Sequence, residues 1–194
     1  MASLGGIGTV ARLCSRNVHK LEELQAALPG WELELLDADG PWPAEDGASY
    51  EENARAKARF GRLVGESNAW MLGEDSGIEA AALGGRPGIE SARWADDGVA
   101  RLLEALDGSG DRRARYVCSI VCLTPEGEEL RGTGTLEGTI AVAPSGDEGF
   151  GYDPIFVPEG ETKTVAELGN DWKRRHSHRS RAAAALVSSL SAAP

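Results

Sequence analysis

Segments with the apolar pattern of β-strands alternate with segments patterned as α-helices through the first half of the chain, and this alternation limits the folds open to it. Residues 9–14 and 31–37 predict strands, and between them Leu21, Leu24 and Leu28 mark one face of a helix. Strands that alternate with helices build sheets with helices packed on their faces. The first half therefore predicts an α/β fold.

The rest of the chain adds further helices and then strands that follow one another directly. Ser49-x-x-Glu52 matches a capping box, which predicts a helix from there to about Val64. The other predicted elements are a strand over 69–77 that ends in a turn, a helix over 99–108, a buried strand over 114–124, antiparallel strands over 127–142 and a closing helix over 180–193. Together these elements predict one domain, residues 1–194, built on a long mixed β-sheet flanked by helices.

The bulk composition argues against several classes of protein. A net charge of -11 is unlike that of proteins that bind duplex nucleic acid through an extended basic face. No stretch approaches the roughly 18 apolar residues of a membrane helix, and the start lacks a secretory signal. The three cysteines lack the spacing of zinc or redox motifs. We therefore expect a cytoplasmic protein with reduced thiols and with neither nucleic acid nor membrane as a partner.

A positive run stands out against this acidic background. Residues 173–181 contain five Lys or Arg, two His and no acid. A local basic cluster in an acidic protein suits the binding of a small anion. A solvated helix end explains the run equally well, and the run alone leaves both interpretations open.

The loop after the first predicted strand is a candidate anion site. Asn17 is well placed to cap the following helix, whose first N–H groups would point toward the loop. Lys20 adds a cation where the helix dipole would otherwise disfavour one, and a bound phosphate would remove that conflict. An ordinary capped helix with a solvated lysine is the alternative, and for this segment alone it is favoured.

Two carboxylates follow the apolar run that ends near residue 73. Because side chains alternate along a strand, Glu74 and Asp75 are expected to point to different sides. A carboxylate at the exit of a strand can hold Mg²⁺ or activate water, whereas a plain acidic turn is the alternative. On the preceding helix, Asn53 and Lys57 share one face, which is also typical of a solvated amphipathic helix.

The segment GFGYDPIF at 149–156 is dense in unusual residue choices. Its two glycines permit backbone conformations that other residues resist. Phe150 or Tyr152 could stack on a nucleobase, and Asp153 could accept hydrogen bonds from the N–H edge of a purine. A hairpin turn with core aromatic residues remains the alternative.

Taken in order, these segments resemble the inosine triphosphate pyrophosphatase family, whose members hydrolyse non-standard purine nucleotides such as dITP and XTP. The resemblance covers residues 10 to 188, nearly the whole chain. It rests on Asn17-x-x-Lys20, Glu52-Asn53-Ala54, Glu74-Asp75-Ser76-Gly77, Pro87-Gly88-Ile89-x-Ser91-Ala92-Arg93, the GFGYDP run and Ser177-His178-Arg179.

The resemblance implies a reaction, a shape and a cofactor. (Deoxy)ITP or XTP plus water would give the monophosphate and pyrophosphate, with Mg²⁺ required. The fold would have two lobes with a central substrate cleft, and the protein would be a homodimer. The resemblance implies that the phosphates are bound by Ser15, Arg16, Asn17, Val18, His19, Lys20 and Lys57. It implies that Asp75 is the general base and a metal ligand, that Glu45 is the second metal ligand and that Ser76 contacts the substrate. It further implies that the base is held by Phe150, Gly151, Tyr152 and Asp153, and that the base and phosphates are recognised by Lys173, His178 and Arg179.

Discrimination between purines would come from the edge of the base. Hypoxanthine and xanthine carry a 6-keto acceptor, whereas adenine carries a 6-amino donor. Donors from His178 or Arg179 would be left unpaired when adenine enters, which penalises its binding.

Two departures from the family pattern affect these expectations. Ser15-Arg16 stands where the family has a small Thr-Gly pair, so that a bulky cation could either add a phosphate contact or point away. The segment after Arg93 is short, which affects the expected cleft rim and dimer interface. The alternatives to the proposed enzyme are a Maf-type pyrophosphatase with another base specificity, a nucleotide-binding sensor without turnover, and a structural protein with a basic tail.

Overall fold

The computed structural model describes residues 8–191, with six β-strands and five α-helices in that range. The elements are β1 (Thr9–Leu13), α1 (Val18–Ala27), β2 (Trp31–Leu35), α2 (Tyr50–Val64), β3 (Trp70–Ala80), α3 (Gly98–Ala105), β4 (Arg113–Leu123), β5 (Glu129–Ile140), β6 (Phe156–Pro158), α4 (Val165–His176) and α5 (His178–Ser191). Short 3₁₀ turns cover Ala81–Leu83, Gly88–Glu90 and Asp153–Ile155. Across the described part of the chain, no helix has the length and apolar character needed to cross a bilayer.

The strands form one mixed sheet in the order β2-β1-β3-β4-β5-β6. β1 pairs in parallel with both β2 and β3, whereas β5 and β6 pair antiparallel. The parallel pairs are the ones whose strands are separated in sequence by α1 and α2, as the alternating pattern predicts. The expected α/β fold with a mixed sheet and flanking helices is confirmed.

Strand β3 differs from its prediction. The predicted turn at Ser76-Gly77 is wrong, because β3 continues to Ala80 and places Glu74 and Asp75 in the middle of the strand rather than at its exit. The extension is stabilised by burial, since Ile78 and Ala80 are both fully buried. The two carboxylates therefore lie within a continuous strand.

Other differences lie in the second half of the chain. The predicted range 127–142 contains the single strand β5 (Glu129–Ile140) rather than several strands. Helix α4 was not predicted, although Thr164 and Glu167 form a complete capping box at its start. The closing helix begins at His178, two residues earlier than predicted, and its predicted continuation over 192–193 lies outside the described residues.

Two compact units divide the chain. Among the described residues, the first unit comprises 8–75, 118–134 and 179–191, and the second comprises 76–117 and 135–178. In the first unit, α1 and α5 pack on one core cluster with β1 and β2, including Leu13, Leu24 and Leu186. A further cluster around Ala54, Ala58 and Met71 joins α2 to β3.

The second unit has its own core. Ile78 and Ala80 of β3, Leu102 of α3 and Ile155 and Phe156 form one buried cluster. Both Tyr116 and Tyr152 belong to this cluster, so that two phenol rings lie among its apolar side chains.

Candidate active site

In the loop between β1 and α1, side chains of the loop accept hydrogen bonds from nearby backbone N–H groups. Asn17 caps α1, and its Oδ1 accepts hydrogen bonds from the backbone N–H of His19 (2.9 Å) and Lys20 (3.2 Å). The hydroxyl of Ser15 accepts from the N–H of Asn17 at 3.1 Å. The cap that the sequence predicts is therefore present.

Lys20 contacts Glu74, a carboxylate to which the family resemblance assigns no role. Its Nζ lies 2.6 Å from Oε2 of Glu74, whose side chain is completely buried. Oε1 of Glu74 accepts from Nε of Arg179 at 3.0 Å, and Nη1 of Arg179 contacts Glu23 at 3.0 Å. Glu74 thus joins two of the predicted substrate-binding cations, which lie 159 residues apart in the sequence.

These contacts keep Glu74 ionised in spite of its burial. Burial alone would raise the pKa of its carboxyl group, but the positive charges of Lys20 and Arg179 outweigh that effect and hold the pKa well below its ordinary value. The pKa of Arg179 is raised, since Glu74 and Glu23 more than offset its own burial. Lys20, Glu74, Arg179 and Glu23 therefore form a network of ion pairs within the protein rather than a set of solvated charges.

Asp75 points to the other side of β3, as alternation along a strand predicts. Its Oδ2 accepts from the side-chain amide of Asn53 at 3.0 Å, and its Oδ1 lies 3.1 Å from Nζ of Lys57. Helix α2 approaches β3 closely enough for these contacts because Gly73 has no side chain. A Cβ at Gly73 would lie 1.8 Å from the carbonyl oxygen of Ala54.

Lys57 brings together the two predicted metal ligands. Its Nζ contacts the carboxylates of both Glu45 and Asp75 and donates to the carbonyl oxygen of Glu74 at 3.0 Å. Burial lowers the pKa of Lys57, but Asp75, Glu74 and Glu45 outweigh this effect and raise it. The pKa of Asp75 is raised, because burial and the neighbouring Glu74 outweigh Lys57 and Asn53.

The donor set at this point fits a hard divalent cation. Within residues 8–191, no three or more His, Cys, Asp or Glu side chains form a ready metal-binding group. The carboxylates of Glu45 and Asp75, which both contact Lys57, are hard oxygen donors. Mg²⁺ commonly takes one or two carboxylates and completes its octahedron with water and substrate phosphate oxygens. Glu45 and Asp75 are therefore the residues that would hold it.

A separate polar cluster in the second unit is centred on Asp153. Its Oδ2 accepts from Nζ of Lys173 at 2.5 Å and from the backbone N–H of Phe150 at 2.8 Å, and its Oδ1 accepts from the hydroxyl of Tyr116 at 3.1 Å. Gly149 makes this turn possible, since its φ is +78° and a Cβ there would lie 2.3 Å from Asp153 Oδ2. Both oxygens of Asp153 are engaged by protein groups, so its contacts hold the 149–153 turn and Lys173 together.

The two aromatic residues of this segment have different surroundings. Tyr152 is buried, and its hydroxyl donates to the carbonyl oxygen of Ser91 at 3.0 Å. Phe150 is only partly buried, and Nζ of Lys173 lies 4.1 Å from the centre of its ring. Of the two, Phe150 is the less buried side chain.

His178 is held by a residue that the sequence analysis did not single out. Its imidazole stacks on the ring of Tyr116, with centroids 4.6 Å apart and planes inclined by 14°. No local signal marks Tyr116, which is one of several buried residues in β4. Its partners lie 37 and 62 residues further along the chain.

The basic residues of the run at 173–181 differ in burial. Lys173, His178 and Arg179 are buried, and Arg174, Arg175 and Arg181 are exposed. The three buried residues are the ones that the resemblance implies as substrate-recognising. The exposed members include Arg174, whose Nη1 pairs with Asp171 at 2.7 Å.

The remaining predicted residues lie nearer the surface. The guanidinium of Arg16 sits over the ring of Trp42, 5.2 Å from its centroid, and donates to the carbonyl of Gly40 at 3.4 Å. Val18 and His19 are exposed, Gly151 is exposed with a φ of +62°, and Ser76 is half-buried in β3. Arg16, the main departure from the family pattern, thus contacts the loop that carries Glu45.

The chain is similar to known proteins over most of its length. A dITP/XTP pyrophosphatase of Bdellovibrio bacteriovorus is 46% identical over 154 residues, which is 75% of this chain and 77% of that protein. A dITP/XTP pyrophosphatase of Leifsonia xyli is 42% identical over 192 residues and covers 93% of this chain and 94% of its own length.

Solved structures show the same fold. A Ham1 protein from Staphylococcus aureus superimposes with a TM-score of 0.80 at 34% identity, covering 95% of this chain and 99% of that one. A nucleoside-triphosphatase and dITP/XTP pyrophosphatase from Mycobacterium abscessus gives a TM-score of 0.71 at 40% identity over 92% of this chain and 97% of its own. A sequence model of the Ham1 family matches residues 11–189. The predicted resemblance is confirmed, and the chain belongs to the Ham1 family.

Proposed function

We propose that this protein hydrolyses ITP, dITP and XTP to the nucleoside monophosphate and pyrophosphate. The proposal is supported by relatives named as dITP/XTP pyrophosphatases at 42–46% identity over most of the chain. The single structural observation that carries it is the joint contact of Lys57 with Glu45 and Asp75. That arrangement combines a phosphate-binding cation, a candidate general base and a pair of metal-binding carboxylates.

Three cations of the first unit suit a triphosphate. Lys20, Lys57 and Arg179 are held by buried carboxylates, so that their positions are set before substrate arrives. A nucleoside triphosphate carries about four negative charges, and preorganised cations also stabilise charge that develops on leaving pyrophosphate. Bound Mg²⁺ would supply additional charge neutralisation for the phosphates. We propose Glu45 and Asp75 as its ligands.

Asp75 is the group that we assign as general base. The amide of Asn53 and Nζ of Lys57 each contact one of its carboxylate oxygens, which holds the carboxylate in place as an acceptor for a proton from water. In the proposed reaction Asp75 accepts a proton from water, the oxygen of that water bonds to phosphorus, and the bond between the α and β phosphates breaks. Pyrophosphate leaves with the electron pair of that bond.

Recognition of the base is assigned to the second unit. Phe150 offers a partly accessible ring for stacking, and its backbone is held by Asp153. We propose that His178 donates a hydrogen bond to the 6-keto oxygen of hypoxanthine or xanthine. Adenine has no acceptor at that position and would leave the donor unpaired, which costs about 10²-fold or more in specificity for a buried group.

The proposal also covers the cellular compartment and the oligomeric state of the enzyme. All three cysteines, Cys14, Cys118 and Cys122, are buried thiols, which supports a reducing compartment such as the cytoplasm. We further propose a homodimer that acts on small-molecule nucleotides rather than on nucleic acid. Sedimentation of the purified protein would test the homodimer.

A substrate panel tests the proposed activity. ITP, dITP, XTP, GTP and ATP are each incubated with enzyme and Mg²⁺, and products are separated by anion exchange. We expect rapid conversion of the first three to monophosphate and pyrophosphate, with little conversion of ATP. Release of orthophosphate and a diphosphate would contradict the pyrophosphatase assignment, and equal use of ATP would contradict the selectivity. Selective turnover of another base would favour a Maf-type specificity, and tight ITP binding without turnover would favour a sensor.

A further inference from the structure

Tyr116 contacts two predicted base-recognition residues at once. It lies in β4 and is 6% exposed. Its ring stacks on the imidazole of His178, and its hydroxyl donates to Oδ1 of Asp153. The ring also packs on Phe156 with centroids 4.4 Å apart. One buried side chain therefore connects the start of α5, the 149–153 turn and the core of the second unit.

The stack on Tyr116 restricts rotation of the His178 imidazole about its Cβ–Cγ bond, and this rotation sets the direction of any hydrogen bond that the imidazole donates. An imidazole can rotate about its Cβ–Cγ bond, and that rotation swings its N–H groups away from any fixed acceptor. Hydrogen bonds weaken steeply once the donor angle falls below about 120°. A parallel ring at 4.6 Å blocks this rotation on one face, because a tilted imidazole would collide with it.

From this geometry we infer that Tyr116 is a positioning residue that sets the plane of His178 and thereby the preference for 6-keto over 6-amino purines. The inference rests on the proposed function, because it assigns Tyr116 a part in base recognition at that same site. Tyr116 acts through His178 and Asp153 and need not touch the nucleotide. The ring carries the main effect, and the hydroxyl assists by holding Asp153, which Lys173 and the Phe150 N–H also hold.

Two substitutions separate the ring from the hydroxyl. Tyr116→Phe keeps the stack and removes the donor to Asp153, whereas Tyr116→Leu removes the stack. Since aromatic pairs contribute modestly, we expect Tyr116→Leu to raise KM for ITP about 2- to 10-fold and to lower the ITP-to-ATP ratio of kcat/KM by a similar factor. We expect kcat for ITP to change less than KM, and Tyr116→Phe to restore most of the selectivity.

A control variant separates positioning from stability. Leu102→Ala truncates a fully buried side chain of the same core, on α3, and leaves both rings of the stack between Tyr116 and His178 unchanged. It should lower the thermal midpoint as Tyr116→Leu does, while keeping the ITP-to-ATP ratio of wild type. If Tyr116→Leu does not fold, Tyr116→Met is the second variant, because it preserves apolar volume without a ring.

A spectroscopic measurement tests the stack without any substrate. The chain has three histidines, so the ring protons of His178 can be assigned by comparison with a His178→Gln variant. The ring current of Tyr116 should shift the His178 protons upfield in wild type and in Tyr116→Phe, and the shift should disappear in Tyr116→Leu. His176 lies against Trp172 instead, with centroids 5.0 Å apart, and its signals should not move.

The outcomes distinguish this inference from the proposed function. The inference is overturned if wild type prefers ITP and folded Tyr116→Leu keeps both the KM and the selectivity of wild type. It is also overturned if the His178 protons do not respond to Tyr116→Leu. Wild-type protein that turns over neither ITP nor XTP would instead overturn the proposed function, and the chemical shifts would still report whether Tyr116 orients His178.

Discussion

Nζ of Lys20 lies 2.6 Å from Oε2 of Glu74, a carboxylate with no exposed surface. Lys20 stands in the first turn of α1, where the helix dipole disfavours a positive charge. Glu74 supplies the compensating charge and also holds Arg179 at 3.0 Å. Two cations assigned to the phosphates therefore depend on one buried acid.

Glu74→Gln should damage both stability and activity. The substitution removes the charge of Glu74 from the buried guanidinium of Arg179, which Glu23 also contacts, and breaking a buried ion pair costs about 3–5 kcal/mol. We expect a corresponding loss in the free energy of unfolding, measured by guanidinium titration, together with a higher KM for ITP. Glu23→Gln is the matched control, since it removes the outer partner of Arg179 and keeps Glu74. A folded Glu74→Gln protein with the stability and KM of wild type would contradict this account.

Gly149→Ala should disrupt the 149–153 turn, to which we assign binding of the base. The added Cβ would lie 2.3 Å from Oδ2 of Asp153, and the residue has a φ of +78°. Displacement of the turn by about 1 Å can reduce kcat/KM by about 10²-fold, which initial rates with ITP would measure. Gly160→Ala provides the comparison, because Gly160 has a φ of +84° but no atom within 4 Å of the added Cβ. It should cost only the backbone strain of about 1–2 kcal/mol and leave KM unchanged. Similar kinetics for the two variants would show that the contact with Asp153 is unimportant.

The buried phenol of Tyr152 predicts a loss of stability at alkaline pH. Burial and the charge of Asp97 raise its pKa above the ordinary value of 10.0, and its hydroxyl donates to Ser91. The unfolded chain therefore loses this proton at lower pH than the folded protein does. The stabilisation is complete below about pH 10 and is lost as pH rises toward the raised folded pKa.

Comparison with Tyr152→Phe isolates that contribution. The free energy of unfolding is measured between pH 8 and 11 for both proteins. Wild type should lose more stability than Tyr152→Phe over the upper part of this range, because phenylalanine has no proton to release. Parallel curves for the two proteins would mean that Tyr152 is not a buried neutral donor.

The sequence predicts those parts of the fold and site that are marked by patterns among residues close together in the chain. Leu21, Leu24 and Leu28 mark α1, and Asn17 marks its cap, because helix periodicity and capping involve residues within one or two turns. The turn predicted at Ser76-Gly77 fails because burial of Ile78 and Ala80 overrides the preference of these residues for turns. Helix α4 could have been predicted from Thr164-x-x-Glu167, the same capping pattern that marks α2.

The parts that the sequence does not predict depend on contacts between distant segments. Glu74 and Arg179 are 105 residues apart, and nothing near either residue indicates that they meet. Tyr116 has the pattern of any buried strand residue, and only the fold brings it against His178 and Asp153. Family resemblance identifies the residues that would touch substrate, whereas the residues that hold them in place emerge only from the structure.

Pyrophosphate release from ITP by wild type and Asp75→Asn, measured side by side in Mg²⁺, tests the central claim most directly. Asparagine keeps the shape of the side chain but cannot accept a proton from water. We predict that wild type releases pyrophosphate rapidly and that folded Asp75→Asn is slower by about 10²-fold or more, the usual contribution of a general base. Wild-type protein without pyrophosphate release, or Asp75→Asn with a rate near that of wild type, would contradict the assignment of Asp75 as the general base of a purine triphosphate pyrophosphatase.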